Sequence, residues 1–275
     1  MVYLLKDLKF DKYLFKVNKE KSISNLNLFT TELKNFYEIK NKKLLENFKK
    51  KNNGLEFTNK RAILLDEVIY KFYKQYAKHF QKNIKNFEFS IIATGGFGRK
   101  ELAPHSDIDI LFLHTLKNKK NLKNLVKPIL HTLWNLGLRV GYATRTPQEC
   151  ISYSKKELDV CTSILESRFI VGDKNIYENL MKQYKNKIVE RYGKKFIKAI
   201  FLEREKRLNE IGDTRYLLEP NVKNGKGTIR DLQTLDWIGK FFYKTSNLND
   251  LKNYKILDKN SAESFIKAKI FFWSV

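Results

Sequence analysis

The sequence predicts an α+β fold: a strand-helix-strand-helix-strand unit that builds a small sheet, followed by a helical domain. Three observations predict it. Short apolar runs at 87–93, 108–114 and 138–145 are bounded by glycine or proline turns. Between and before them, apolar residues recur at three- and four-residue spacing. Beyond Gly172 the pattern is helical almost throughout.

Taken in order, residues 1–55 are rich in Lys and Asn with scattered apolar positions, which predicts short or frayed helices ending at the break Asn52-Asn53-Gly54. From Thr58, a plausible N-cap, Leu64, Leu65, Val68, Ile69, Phe72, Tyr73, Tyr76 and Phe80 mark an amphipathic helix. Phe87 to Ala93 reads as a strand ending at Gly95-Gly96, and a short helical segment follows. Pro104 to Ser106 reads as a turn and Ile108 to His114 as the second strand. Lys119 to Asn135 reads as a helix and Leu138 to Arg145 as the third strand. Thr146-Pro147-Gln148-Glu149 has the form of a capping box with proline at the first helical position, so a helix starts there. A polar, glycine-containing loop at 212–228 interrupts the later helices, and the next helix begins near Ile229.

Composition narrows the function classes. A hydrophobic content of 42% in 275 residues suffices for a packed core and excludes general disorder. No run approaches the roughly 20 apolar residues of a membrane span, and Met1 to Tyr13 lacks a signal-peptide core, so a cytoplasmic protein is expected. Cys150 and Cys161 have no partners at metal-ligand spacing and are expected to be inert, buried, reduced thiols. The 54 Lys and Arg against 30 Asp and Glu give a net charge of +24. Because Lys dominates and is scattered along the chain, this reads first as a solvated surface and only second as a nucleic-acid face.

The segment Thr94-Gly-Gly-Phe-Gly-Arg99 through Ser106-Asp-Ile-Asp-Ile110 carries the chemistry. Residues two apart on a strand share a face, so Asp107 and Asp109 project together while Ile108, Ile110 and Phe112 face the core. Adjacent carboxylates repel, and a hard divalent cation such as Mg²⁺ or Mn²⁺, bound with substrate phosphates, would compensate them. Gly95 and Gly96, lacking Cβ atoms between a strand and a helix start, let phosphate oxygens approach backbone N–H groups. This is equipment for metal-assisted nucleotidyl transfer. Arg99 is placed to contact phosphate or to pair with Glu101 or Asp107.

These motifs, together with Gly141-Tyr-Ala-Thr-Arg-Thr146, Asp159 through Arg168, and Glu219-Pro-Asn-Val-Lys-Asn-Gly-Lys-Gly-Thr-Ile-Arg-Asp-Leu-Gln-Thr234, resemble the nucleotidyltransferase portion of the bacterial PII uridylyltransferase/uridylyl-removing enzymes, of the DNA polymerase β nucleotidyltransferase superfamily. The resemblance covers about residues 60 to 245. It implies a polymerase β-like domain and Mg²⁺-dependent transfer of UMP from UTP to a tyrosine of the signalling protein PII, releasing pyrophosphate. Asp107 and Asp109 would be the catalytic metal ligands. Gly95, Gly96, Arg99, Ser106, Lys223, Arg230 and Asp231 would hold the nucleotide, or, for the last three, brace the loop that does.

The family's third carboxylate has no counterpart in the third strand, leaving Asp159 and Glu166 as candidates. Each also has a plain structural reading, as a helix-surface Asp and as a Glu paired with Arg168 or Arg145. The expected segments are an N-terminal extension (1–57), the nucleotidyltransferase domain (58–172) and a helical domain (173–275). The last is expected to be truncated, without the hydrolase and glutamine-sensing domains that the resemblance would otherwise imply. His79, His105, His114 and His131 read as structural. Two other readings stay open: a nucleotidyltransferase acting on RNA or another protein, and a non-catalytic nucleotide-binding remnant.

Overall fold

The structure, a computed structural model, describes residues 19–80, 88–116, 119–211, 219, 221–245, 250–251 and 254–275. A four-stranded mixed sheet lies at its centre, made of β1 (Phe89–Ala93), β2 (Ile108–His114), β3 (Val140–Arg145) and β4 (Arg168–Gly172) in the order β3-β2-β1-β4. β1 runs antiparallel to β2 and β4, and β2 runs parallel to β3. The sheet and its surrounding helices bear out the α+β expectation.

Strand parity divides the core in two. Phe89, Ile91 and Ala93 of β1 and Ile108, Ile110 and Phe112 of β2 pack with α1 (Lys19–Lys51), α2 (Gly54–Phe80) and α4 (Lys119–Asn135). On the opposite face, Ile92, Leu111 and Leu113 meet α5 (Pro147–Ser154), α6 (Leu158–Leu165), α7 (Lys174–Tyr184) and α8 (Gly193–Ile211). Trp237 of α9 (Ile229–Ile238) joins the second cluster, as does Phe241, whose ring stacks on Phe196 at 3.9 Å. With both faces covered, β2 reads as a nearly continuous apolar run, and its one exposed residue, Asp109, stands out against it.

Several boundaries differ from the sequence expectation, each for a local reason. Residues 19–51 form one long helix, not short frayed ones: Phe29, Leu33 and Tyr37 are buried on one face of it, and that tertiary packing overrides weak propensity. α2 starts at Gly54, four residues before Thr58. The side chain of Asn53 accepts from the Glu56 N–H at 3.0 Å and so serves as the cap, while the Thr58 hydroxyl donates back to the Leu55 carbonyl. The third strand starts at Val140, because Gly137 with φ +75° and the carbonyls at the end of α4 hold Leu138 in a turn. β4 was not anticipated as a strand. Phe87, the signal-peptide reading of Met1 to Tyr13, the His79 side chain and most of the loop start (212–218, 220) lie outside the described residues.

The capping box at Thr146 forms as expected, with the Thr146 hydroxyl accepting from the Glu149 N–H and the Glu149 carboxylate accepting from the Thr146 N–H. Both cysteines are free and buried, and burial pushes the Cys150 thiol up to about 12. No helix among the described residues is long and apolar enough to cross a membrane.

Arg168 of β4 secures α2 to the glycine turn. It donates to Asp66 in a forked pair at 2.6 and 3.0 Å and to the carbonyls of Phe97 and Gly98. Arg61 of α2 donates to the carbonyls of Leu102 and Ala103, just upstream of the two aspartates. Arg168→Met should cost about 2 kcal/mol, below the cost of breaking a fully buried pair because both partners keep some solvent. Urea denaturation at neutral pH measures this, with Asp66→Asn on the same background recovering part of the loss.

Candidate active site

The site forms where three strands end together. The Thr94 N–H, just past β1, donates to the Asp109 carbonyl at 3.0 Å, and the β2–β3 register sets Asp109 opposite Gly141. The chain then turns through Gly95 at φ +53°, a conformation that favours glycine, into the single helical turn α3 (Gly95–Gly98). A Cβ on Gly95 would lie 2.7 Å from one Asp109 carboxylate oxygen, and a Cβ on Gly141 would lie 2.8 Å from the other. The two glycines therefore form a slot sized to the carboxylate. Because α3 is one turn long, its dipole is small, and the closeness of glycine backbone counts for more there than helix polarity.

Asp107 and Asp109 lie on the same side of β2, as parity requires. Asp107 is exposed and pairs loosely with Arg139 at 3.6 Å. The Asp109 carboxylate receives no hydrogen bond among the described residues. Although Asp109 is open to solvent, desolvation within the glycine slot and the neighbouring Asp107 charge raise its pKa, and the positive charges of Arg99 and Lys223 oppose them. Lys223 belongs to the loop before α9, so that loop lies within electrostatic reach of the aspartates.

The remaining predicted residues divide into those at the turn and those that support it. Gly96 accepts the Glu101 N–H and closes the turn, and Ser106 donates its N–H to the Ala103 carbonyl one residue before Asp107. Arg99 is buried, donating to Glu101 at 2.7 Å and to Glu166 at 2.5 Å. Pairing with Glu101 was one of the two expected readings, whereas Glu166, not Asp107, is the second partner. Glu166 engages neither Arg168 nor Arg145. Its other oxygen accepts from the Trp237 indole at 2.6 Å, and burial raises its pKa against the pull of Arg99.

Asp159 is exposed in the first turn of α6. Asp231, in the first turn of α9 as expected, accepts from Arg204, from Arg207 at 2.9 Å and from the Gly227 N–H at 2.8 Å. Arg207 also donates to the Asn224 carbonyl, so this cluster holds the 221–228 loop in shape. Arg230 donates to Gln233 and lies 5.7 Å from the Trp237 ring centre. Of the histidines, His105 is an exposed turn residue, His131 meets Trp134 edge-on, and His114 is buried at the end of β2.

Sequence reasoning missed the residues that join these parts. Glu101 also pairs with Lys269 of α10 (Lys259–Ser274) at 2.8 Å, and Lys269 reaches Asp236 of α9 at 3.2 Å. No local pattern signals contacts between residues this far apart. Gly141 did carry a signal, a glycine inside a strand pattern, which marks a close backbone or ligand approach.

Among the described residues no three His, Cys, Asp or Glu side chains converge as a metal cage. The pair Asp107 and Asp109 still fits a Mg²⁺-type ion, which takes one or two carboxylates and fills its remaining positions with water and substrate phosphates. The glycine slot around an undonated carboxylate is the observation that favours the fit.

Known proteins resemble the chain over most of the described residues. Residues 73–171 match the family model described as a nucleotidyltransferase domain, and residues 195–275 match the one described as GlnD PII-uridylyltransferase. The bifunctional uridylyltransferase/uridylyl-removing enzyme of Azospirillum brasilense is 44% identical over 186 residues, which are 68% of this chain and 20% of that protein. The protein of the same name from Rhodospirillum rubrum is 39% identical over 188 residues, with the same coverage. The one from Novosphingobium aromaticivorans is 37% identical over 213 residues, 78% of this chain and 23% of that protein. The chain spans about a fifth of the length of these relatives. The chain is similar to part of the PII uridylyltransferases and contains a nucleotidyltransferase domain.

Two outcomes test the site's physics without any assay of activity. A raised carboxylate pKa means that ionised Asp109 opposes folding, so stability from this group is present at low pH and is lost as pH rises through the folded-state pKa. Asp109→Asn should therefore raise Tm at pH 7 and narrow the gain as pH falls towards 4, read by calorimetry. Trp237→Phe leaves one Glu166 oxygen buried without a donor and should cost about 1–3 kcal/mol in urea denaturation.

Proposed function

We propose that the chain transfers a nucleotidyl group, UMP from UTP, to a tyrosine hydroxyl of PII with release of pyrophosphate. The observation that carries this reading is the Asp109 carboxylate, set in a slot between Gly95 and Gly141, beside Asp107 and within reach of Lys223. An undonated carboxylate beside a second acid lowers stability unless something bound there compensates it. UTP, the tyrosine acceptor and PII come from the family resemblance, and the site geometry is compatible with them.

Asp107 and Asp109 would hold Mg²⁺ or Mn²⁺. That ion, once bound, supplies charge neutralisation for the triphosphate and lowers the pKa of the attacking hydroxyl. The protein's own residues do the positioning. The turn at Gly95 and Gly96, with Ser106 beside it, brings backbone close to the phosphates, and Lys223 faces their negative charge from the opposite loop. In the reaction, the tyrosine oxygen bonds to the α-phosphorus as the bond from that phosphorus to the bridging oxygen breaks. Pyrophosphate leaves and the phenolic proton goes to solvent.

Arg99, Glu166 and Asp231 act through others in this reading. Glu101 and Glu166 hold the Nε and one terminal nitrogen of Arg99, so Arg99 braces the turn and contributes a positive charge that favours ionised Asp109. Glu166, with both oxygens engaged, is a poor third ligand. Two carboxylates plus substrate oxygens then complete the coordination. Asp231 and its two arginines keep Lys223 in place, and Arg230, next to Trp237, belongs to the same support.

Incubation with α-labelled UTP, Mg²⁺ and purified PII should label PII, and chelation of the metal should abolish labelling. Asp107→Asn and Asp109→Asn should each lower the rate by at least about 100-fold, the scale of losing a main electrostatic element. Label on tRNA in place of PII would assign a different acceptor, and labelling that is equal in the variants would overturn the site.

A further inference from the structure

A cleft of about 430 Å³ opens between α5 and the turn that joins α7 to α8. Its size falls within the range of small-ligand sites. Three exposed cations line it from separate positions: Lys155 at the C-cap of α5, Lys187 in the π-helical turn Lys185–Val189, and Arg191 just beyond that turn. The amides of Gln148 and Gln183 line it as well, and no carboxylate does. Not one residue of the lining belongs to the Asp107–Asp109 site.

Some helical lysines pair with glutamates four residues away, as in Lys174–Glu178 and Lys206–Glu210, whereas the cations here converge on one concavity. Lys155, Lys187 and Arg191 form no ion pair with a carboxylate among the described residues. Three like charges around one concavity repel each other and focus a positive potential there. Lys187 sits on a π-helical turn, a distortion that recurs at functional sites, and donates to the Gln183 amide oxygen at 3.0 Å.

We propose that the cleft binds a phosphorylated small molecule of nucleotide size, with two or more phosphate groups held between Lys155, Lys187 and Arg191. Arg191 supplies a planar fork suited to phosphate oxygens, and the lysines supply point charges. A single-stranded nucleic acid fits less well, since it needs successive aromatic platforms. The cleft offers one ring, Tyr192, with Lys155 and Lys195 at 5.8 and 5.3 Å from its centre.

Calorimetric titration of the full chain with ATP, and separately with inorganic triphosphate, in chelator and low salt tests this. Without divalent cations the two aspartates repel both probes, so this experiment is independent of the transfer reaction. Saturable binding should persist in the Asp107→Asn/Asp109→Asn double variant. It should weaken by at least about tenfold in Lys187→Ala/Arg191→Ala and largely return in Lys187→Arg with Arg191 intact. Thermal melts should match wild type, because the substituted side chains are exposed. Three results would overturn the proposal: no saturable binding, equal binding in the alanine variant, or tighter binding of a short single-stranded RNA or of polyglutamate than of ATP.

Discussion

Arg99 is the residue through which the parts of this molecule meet. It follows the glycine turn directly, and its guanidinium joins Glu101 of the next loop to Glu166 at the end of α6. Glu166 passes the connection to Trp237, and Glu101 passes it through Lys269 to Asp236. The sheet, α9 and α10 are thus bound into one buried polar network. Such networks rarely add net stability, because taking each ion out of water costs several kcal/mol and the pairing returns about as much. Removing any one partner would leave a buried charge unpaired, so the carboxylates tolerate few arrangements.

The charges in that network nearly cancel. Glu101, Glu166 and Asp236 face Arg99 and Lys269, and Lys240 adds a further pull on Glu166 and Asp236. A chain of net charge +24 therefore keeps its interior close to neutral and carries its excess outside. The aspartates on β2 are the exception. They lie at the rim: Asp109 receives no hydrogen bond among the described residues and is offset by Arg99 and Lys223, while Asp107 has only a loose pairing with Arg139. Excess acidic charge at the surface of an otherwise balanced polar network is how a binding site differs from a structural ion pair.

What the sequence disclosed follows from the range of the interactions involved. β2 was found to the residue, and so were α4 and the capping box at Thr146, because each depends on neighbours within one or two turns of chain. The shared face of Asp107 and Asp109 needed only the two-residue repeat of a strand. The expectation that Ile108, Ile110 and Phe112 face the core was half of the arrangement: Leu111 and Leu113, on the side of the aspartates, are equally buried under α5 to α8. β4 escaped notice since Arg168-Phe-Ile-Val-Gly172 is short, and its strand character comes from pairing with β1. The partners of Glu166 and Glu101 were out of reach for the same reason, being set by packing of distant helices.

The parity of β2 bears on how this protein can change over evolutionary time. Replacing one side chain at 107 or 109 alters the chemistry and leaves the architecture standing, so drift by substitution is open to the lineage. Losing or gaining a single codon within the strand is a different event. It would turn the acidic side chains towards the layer that holds Ile108, Ile110 and Phe112 and part them from Gly95 and Gly141, while the apolar run from Ile110 to Leu113 would still furnish both faces. The register of this strand is for that reason what keeps the acids and the glycines on one side.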